Sequence, residues 1–232
     1  MQPHFAKPKV VVIYGPPGAG KGTQADLTAR YFGFIHFDTG KYLESLVHDP
    51  VALKSAEVRR QRTLFDTGKL MTTSWVIKVV GSRMKKIARA GLGLVLSGSP
   101  RTVGEAEDLL PIMKKLYGRQ NMLFFVLQVP PETSLRRNSR RLICSICGSP
   151  ILRVKSTENF TTHSPCPFCG GKLVKRTLDR PSVIKDRLTE FDLKTKPVFA
   201  AIRNSGYKVK EIKGDALPFE VFKSIKKEII KI

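Results

Sequence analysis

Gly15-Pro16-Pro17-Gly18-Ala19-Gly20-Lys21-Gly22-Thr23 is the stretch that decides how this chain folds. The run before it, Val10-Val11-Val12-Ile13-Tyr14, is continuously apolar and reads as a buried strand. The run after it, Gln24 to Phe32, has helical spacing. Strand, glycine-rich turn and helix in that order make the pattern a phosphate-binding loop. Glycines let backbone N–H groups converge on an anion without Cβ clashes, and the helix N-terminus adds partial positive charge. Gly15, Gly18, Ala19, Gly20 and Gly22 belong to that cradle, Lys21 would reach the β- and γ-phosphates, and Thr23 offers a hydroxyl on the metal side. Gly22 separates the lysine from the hydroxyl residue, so the match is to a subclass of the motif.

The chain has 232 residues, enough for one core plus inserted subdomains. No apolar run approaches the roughly 18 residues of a membrane span, and Met1-Gln2-Pro3-His4 lacks a charged segment followed by an apolar one. The expectation is therefore a cytoplasmic protein without a membrane partner. The formal charge is +22, from 41 Lys and Arg against 19 Asp and Glu. Such an excess attracts polyanions, so nucleotides, nucleic acid and acidic partners all qualify, while a generally basic solvated surface explains it equally. Non-specific nucleic-acid binding in vitro is expected either way.

Strand candidates at Lys9–Tyr14, Phe34–His36, Leu94–Leu96, Leu123–Val129 and Lys208–Ile212 are mostly short continuous apolar runs, as in strands buried on both faces of a parallel sheet. Amphipathic stretches separate them at Gly22–Phe32, Ser74–Ala90, Val103–Leu116, Pro131–Arg141, Pro181–Asn204 and Pro218–Ile230. The alternation argues for a three-layer α/β fold, with ligands beyond the carboxyl ends of the strands. Two regions break it. Residues 39–73 read helical but fall between the second strand and the next core helix. Residues 142–178, rich in Cys, Pro, Gly, Ser and Thr, read as an inserted small domain.

All four cysteines fall in that insert, as Cys144-Ser145-Ile146-Cys147 and Cys166-Pro167-Phe168-Cys169. Two C-x-x-C knuckles separated by 18 residues can bring four thiolates to one zinc ion. Gly148, Gly170 and Gly171 allow the tight turns that aim amides at sulfur. Disulfides are disfavoured in a chain that nothing places outside the cytosol. With four protein ligands the zinc site would be closed and structural, standing in for a core too small to form alone. A zinc ribbon can also be a nucleic-acid module.

Further motifs follow in order: Asp38-Thr39-Gly40, Gly68-Lys69-Leu70-Met71, Gly98-Ser99-Pro100-Arg101-Thr102, Arg137 and Arg141 before the cysteine insert, and Arg176, Asp179 and Arg187 at and after its end. With these motifs the chain resembles, over nearly its whole length, the adenylate kinase family of nucleoside monophosphate kinases in the long form with a zinc-bearing lid. The resemblance implies a P-loop NTPase fold with a five-stranded parallel sheet. Its core would comprise residues 1–38, 74–141 and 179–232, with a helical monophosphate-binding arm at 39–73 and a zinc-ribbon lid at 142–178. It also implies transfer of the γ-phosphoryl of MgATP to AMP, giving two ADP, by a monomer carrying structural Zn²⁺ and using Mg²⁺ with ATP. Lys21, the loop residues and Arg137 would hold ATP. Thr39, Gly40, Met71, Gly98, Arg101, Glu105, Arg176 and Arg187 would hold AMP, and Lys21, Arg101, Arg137, Arg141, Arg176 and Arg187 would serve the transfer. Arginines suit this task because guanidinium groups clamp phosphate oxygens with two donors each while charge spreads over the moving group.

Four positions depart from the family pattern. Ser97 stands where an Asp usually helps hold magnesium through water, Ser99 where a Phe forms an apolar wall, Glu44 where an arginine faces the monophosphate, and Glu105 where a Gln reads adenine. A carboxylate only accepts hydrogen bonds, and guanine presents two adjacent donors. Glu105 therefore raises the alternative of GMP as acceptor, or it points elsewhere. Ser97, Glu44 and the net charge raise another: a catalytically weak nucleotide-binding or nucleic-acid-associated protein. The retained Lys21, Arg101, Arg137, Arg141 and Arg187 oppose that alternative.

Overall fold

β1 (Val10–Tyr14) is the central strand of a five-stranded sheet in the computed structural model, which describes residues 9–152 and 155–231. The Met1-Gln2-Pro3-His4 segment considered above for a leader lies outside them. β1 pairs with β3 (Leu94–Ser97) on one side and β4 (Met122–Gln128) on the other. β2 (Ile35–Asp38) flanks β3, β7 (Val209–Lys213) flanks β4, and every pairing is parallel. Alternate residues of the central strands feed two separate cores. Val10, Val12, Leu94, Leu96, Phe124 and Val126 face α4 (Thr73–Arg89), α5 (Val103–Tyr117) and α8 (Lys196–Asn204). Val11, Ile13, Val95, Leu123, Phe125 and Leu127 face α1 (Lys21–Phe32) and α9 (Pro218–Ile230). Burial on both faces is why these strands read as unbroken apolar runs instead of an alternating pattern.

Residues 39–73 carry α2 (Thr39–Val47) and α3 (Ala56–Asp66). α6 (Pro131–Ser139) leads into the cysteine-bearing insert, where β5 (Ile143–Cys144) pairs antiparallel with β6 (Leu173–Val174) over a small cluster of Leu142, Cys144, Ile151, Cys166 and Leu173. The sheets and the insert match the three-layer fold expected from the sequence.

Three element boundaries differ from expectation, and each bears on the site. The single helix expected over Pro181–Asn204 is α7 (Pro181–Glu190), a π-helical turn (Phe191–Thr195) and α8. Pro197, in the first turn of α8, has no N–H to donate to the carbonyl four residues back, and the widened turn accommodates that loss. β2 runs from Ile35 to Asp38 instead of from Phe34 to His36, because Gly33 caps α1 in the left-handed region and Phe34 folds back onto Phe32. α6 ends at Ser139, which frees Arg141 from the helix.

Candidate active site

The phosphate-binding loop leaves β1 at its carboxyl end and runs into α1. At Gly18 (φ +78°) a β-carbon would meet the Asn138 side-chain nitrogen at 2.6 Å and the Ser134 carbonyl at 3.0 Å, so α6 lies directly against the loop. Ser134 and Asn138 are fully buried, and the Ser134 hydroxyl donates to the Pro17 carbonyl. Gly20, by contrast, is at φ +90° and a β-carbon there would meet nothing within 4 Å. The loop is therefore buttressed from behind and open on the side where an anion would lie.

Lys21 Nζ donates to the carbonyls of Gly15 at 2.7 Å and Pro16 at 2.9 Å. Burial, followed by the positive charges of Arg101, Arg187 and Arg141, holds its pKa well below that of an ordinary lysine, and Asp38 is the anion pulling the other way. A cation so placed is uncomfortable until a polyanion arrives, which is how a preorganised phosphate site is built.

Arg101 follows β3. Its Nη2 lies over Gly98 and Gly40, where added β-carbons would come within 2.9 Å and 3.4 Å. Those two glycines thus keep the guanidinium's seat clear. Both backbone groups of Arg101 are held by distant side chains. Its N–H donates to Oε2 of Glu105 at 2.8 Å, and its carbonyl accepts from the Thr195 hydroxyl at 3.0 Å. Thr195 belongs to the π turn, so the helix irregularity forced by Pro197 is what delivers that hydroxyl.

At the end of the insert, Asp179 organises two more arginines. Arg141 Nε and Nη2 meet its two oxygens at 2.8 and 2.5 Å, and Arg187 Nη1 stands 3.8 Å away. Burial first, then Arg101, Arg176 and Arg141, bring the Arg187 pKa down to about 9. Arg176 Nη2 bonds to Glu44 Oε2 at 2.9 Å, joining the insert's end to α2. Gly15, Lys21, Gly98, Arg101, Arg187 and Thr195 line one cavity.

Four further expected site residues have the following surroundings. Arg137 does not join the cluster around Lys21: it donates to the carbonyls of Gly214 at 2.8 Å and Asp215 at 3.2 Å, on the loop after β7. It sits inside α6 and points across the helix, whereas Arg141, beyond the helix end, swings to Asp179. Thr39 is fully buried and its hydroxyl donates to the Ser97 carbonyl at 3.2 Å, stapling α2 to β3. The Met71 side chain packs into the core, while Gly68 and Leu70 of the same turn line the cavity. Glu105 is 2% exposed and its carboxylate also bonds to Ser99, so it is turned toward the main chain of Arg101 and away from a base. The Ser99 and Glu105 departures are thus one coupled change, and the donor-reading edge proposed for guanine is occupied.

The sulfurs of Cys144, Cys147, Cys166 and Cys169 all lie within 4.8 Å of one another. Cys144 to Cys169 is 3.5 Å and Cys147 to Cys166 is 3.8 Å. Four thiolates about 2.3 Å from a tetrahedral zinc ion stand about 3.8 Å apart, so the spacing fits that metal. The N–H groups of Ile146 and Cys147 point at Cys144 Sγ, as a zinc knuckle requires, and a β-carbon on Gly171 would come within 3.0 Å of the same sulfur.

The sequence gives Thr195, Ser134 and Asn138 no role, and Asp38 none beyond its place in the Asp38-Thr39-Gly40 motif. Thr195, just ahead of Lys196-Pro197, also carries a local signal, the helix-breaking proline.

Residues 13–207 match the sequence profile of the family described as Adenylate kinase. The chain is 34% identical over 198 residues to an adenylate kinase of Pelobacter propionicus, covering 84% of this chain and 86% of that one. It is 29% identical over 229 residues to the adenylate kinase of Chlamydia pneumoniae, covering 98% of this chain and all of the other. A third relative, the adenylate kinase of Caldicellulosiruptor saccharolyticus, is 32% identical over 199 residues, 84% of this chain and 87% of its own.

Proposed function

We propose, given that the chain belongs to the adenylate kinase family, that its cationic cavity moves the γ-phosphoryl group of ATP onto AMP. The protein is an ATP:AMP phosphotransferase. An oxygen of the AMP α-phosphate attacks the γ-phosphorus in line, the bond from that phosphorus to the β–γ bridging oxygen breaks, and the electron pair leaves on that oxygen, giving two ADP. The acceptor oxygen is already ionised, so no general base and no enzyme-bound intermediate are needed.

The observation that carries this reading is that Lys21, Arg101 and Arg187 line one cavity beside the open face of the phosphate loop, with Arg141 joined to Arg187 through Asp179. Lys21 and the loop amides hold the β- and γ-phosphates. Arg101, fixed by Glu105 and Thr195, holds the acceptor phosphate. Arg141 and Arg187, ordered by Asp179, meet charge as it spreads over the transferring group. Arg176 approaches the acceptor from the end of the insert, and Arg137, at the Gly214–Asp215 loop, borders the ATP site. Gly40 and Gly98 act by leaving room for Arg101. Thr23, in the first turn of α1, would offer a hydroxyl to magnesium carried with ATP, which would supply charge neutralisation at the phosphates. Cys144, Cys147, Cys166 and Cys169 would hold zinc, which would stiffen the 142–178 insert as a lid, with the 39–73 arm closing from the other side to exclude water. No helix among the described residues is long and apolar enough to cross a membrane. The protein works as a cytoplasmic monomer, and its charge gives only non-specific affinity for nucleic acid.

The test is phosphoryl transfer by zinc-loaded protein with MgATP and each of AMP, GMP, CMP and UMP. ADP formation with AMP, and little with the other three, is the expected result. Silence with all four from folded, ATP-binding protein would overturn it.

A further inference from the structure

Asp38 and Ser97 are register partners at the carboxyl ends of adjacent strands β2 and β3, on the side of the sheet that faces the first turns of α1. Their chemistry differs in what is left over for a ligand. The Ser97 hydroxyl lies 2.7 Å from His36 Nε2, and His36 Nδ1 lies 2.6 Å from Asp26 Oδ1. The Ser97 hydroxyl is thus occupied by a hydrogen bond to the His36 ring, which is itself anchored on Asp26. Ser97 carries no charge, and it is 4% exposed.

Asp38 uses one oxygen structurally: Oδ1 accepts the Lys41 N–H at 3.1 Å and caps α2. Its other oxygen, Oδ2, is directed at Gly22, where a β-carbon would stand 4.0 Å away, one residue before Thr23. Lys21 and Arg101 both feel Asp38 as a favourable negative charge. Capping does not require that charge, since Asn or Ser caps a helix about as well. Lys21 and Arg101 offset part of that charge, and once they engage phosphate a carboxylate beside the polyphosphate is repelled by it unless a further cation lies between them. Magnesium, which keeps several of its waters and favours carboxylate and phosphate surroundings, is the cation that ATP brings.

We infer that Asp38 is the carboxylate that receives the waters of ATP-bound magnesium in this protein, with the Ser97 hydroxyl as its uncharged neighbour. The inference rests on the ATP:AMP phosphotransferase reading. The negative charge expected at position 97 has moved one strand over, to the residue paired with it. Asp38 is a positioning residue here, acting on phosphate geometry through the metal's water shell.

The experiment compares the affinity of the protein for ATP with excess Mg²⁺ and for ATP in EDTA, by calorimetry, in the parent, D38N and D38S. Mn²⁺ bound to the protein–ATP complex, followed by electron paramagnetic resonance, gives a second readout. D38N keeps the helix cap, so the fold is retained. The expected result is a parent that prefers MgATP. D38N and D38S lose that preference by about tenfold or more, the range seen when groups around a metal's ligands are removed. The double variant D38S/S97D regains the preference. A D38N protein with the parent's ratio of the two affinities would overturn the inference and leave Asp38 as a helix cap. A parent with no preference for MgATP would overturn it too. A parent that prefers MgATP yet forms no ADP from AMP would refute the kinase reading alone, because both binding readouts are independent of turnover.

Discussion

The backbone N–H of Arg101 donates to Oε2 of Glu105 at 2.8 Å, so a buried carboxylate holds the main chain of the arginine assigned to the acceptor phosphate. Gln at this position still offers an oxygen to that N–H, whereas Leu does not. E105Q is expected to keep AMP turnover within a few-fold and to gain no GMP activity. E105L leaves the donor unsatisfied, which costs about 1–3 kcal/mol. Its thermal midpoint should fall and its KM for AMP should rise. A GMP rate in the parent comparable to that with AMP would show that the carboxylate does reach a base.

Lys21 is buried and feels the positive charges of Arg101, Arg187 and Arg141. Replacing it with Met should lower turnover by about 10² or more, as loss of one preorganised charge does elsewhere. The nucleotide-free protein should not lose thermal stability, because a buried and crowded charge is removed. Normal turnover by K21M, measured by ADP formation, would refute the site assignment.

The four cysteine sulfurs lie within 4.8 Å of one another around a small apolar cluster. C147S should lower bound zinc, measured by atomic absorption, and reduce the thermal midpoint. ATP binding at the phosphate loop should survive in weakened form. Chelator treatment of the parent should reproduce the shift. Unchanged zinc content in C147S would remove that residue from the ligand set.

Glu44 bonds to Arg176 at 2.9 Å and places an anion where the monophosphate approaches. In E44A the arginine is released and the repulsion is gone, so the KM for AMP should fall several-fold with kcat little changed. A rise in KM would mean instead that Glu44 positions Arg176 for its substrate. Steady-state kinetics with AMP as the varied substrate separates the two.

Glu228 ties α9 to β7 through Lys210, and Lys231 bonds to it at 2.6 Å. The Lys210 hydrogen bond, then that of Lys231, lowers its pKa from 4.5 to about 2. A depressed carboxylate stabilises the folded state above its unfolded pKa and loses that contribution as pH falls through the folded one. The contact is therefore fully present above about pH 4.5 and lost toward pH 2. It lies at the surface, so the effect is small. E228Q should melt slightly below the parent at pH 7, and the gap should close as the pH approaches 2.

Much of the architecture was legible because it is written in local spacing. Val10 to Tyr14 is apolar at every position because both faces of β1 are covered. The glycine spacing from Gly15 to Gly22 and the paired cysteines likewise need only their immediate neighbours to be recognised. Lys21, Arg101 and Arg187, picked out by motif position, line one cavity, and Arg141 reaches Arg187 through Asp179. Thr39, Met71, Arg137 and Glu105 share those motifs, yet their side chains turn elsewhere. Spacing along a chain says which residues are near in sequence, and a side chain's direction depends on where its helix ends and what packs against it. Arg137 and Arg141 are one helical turn apart, and the end of α6 between them sends one to Gly214 and the other to Asp179.

By itself the sequence determined a phosphate loop between a buried strand and a helix, the alternating elements that enclose a parallel sheet, and a four-thiolate insert. Each follows from residue types at short fixed spacings, which act through backbone conformation and local burial. The tertiary structure alone decided that Asp38 stands beside Ser97, that Thr195 and Glu105 hold Arg101 from two sides, and that Glu44 meets Arg176. Strand register decided the first, since a shift of one residue would turn Asp38 to the other face of the sheet. Hydrogen bonds and ion pairs decided the others, because they act over about 3 Å and join positions that only the completed fold brings within that distance.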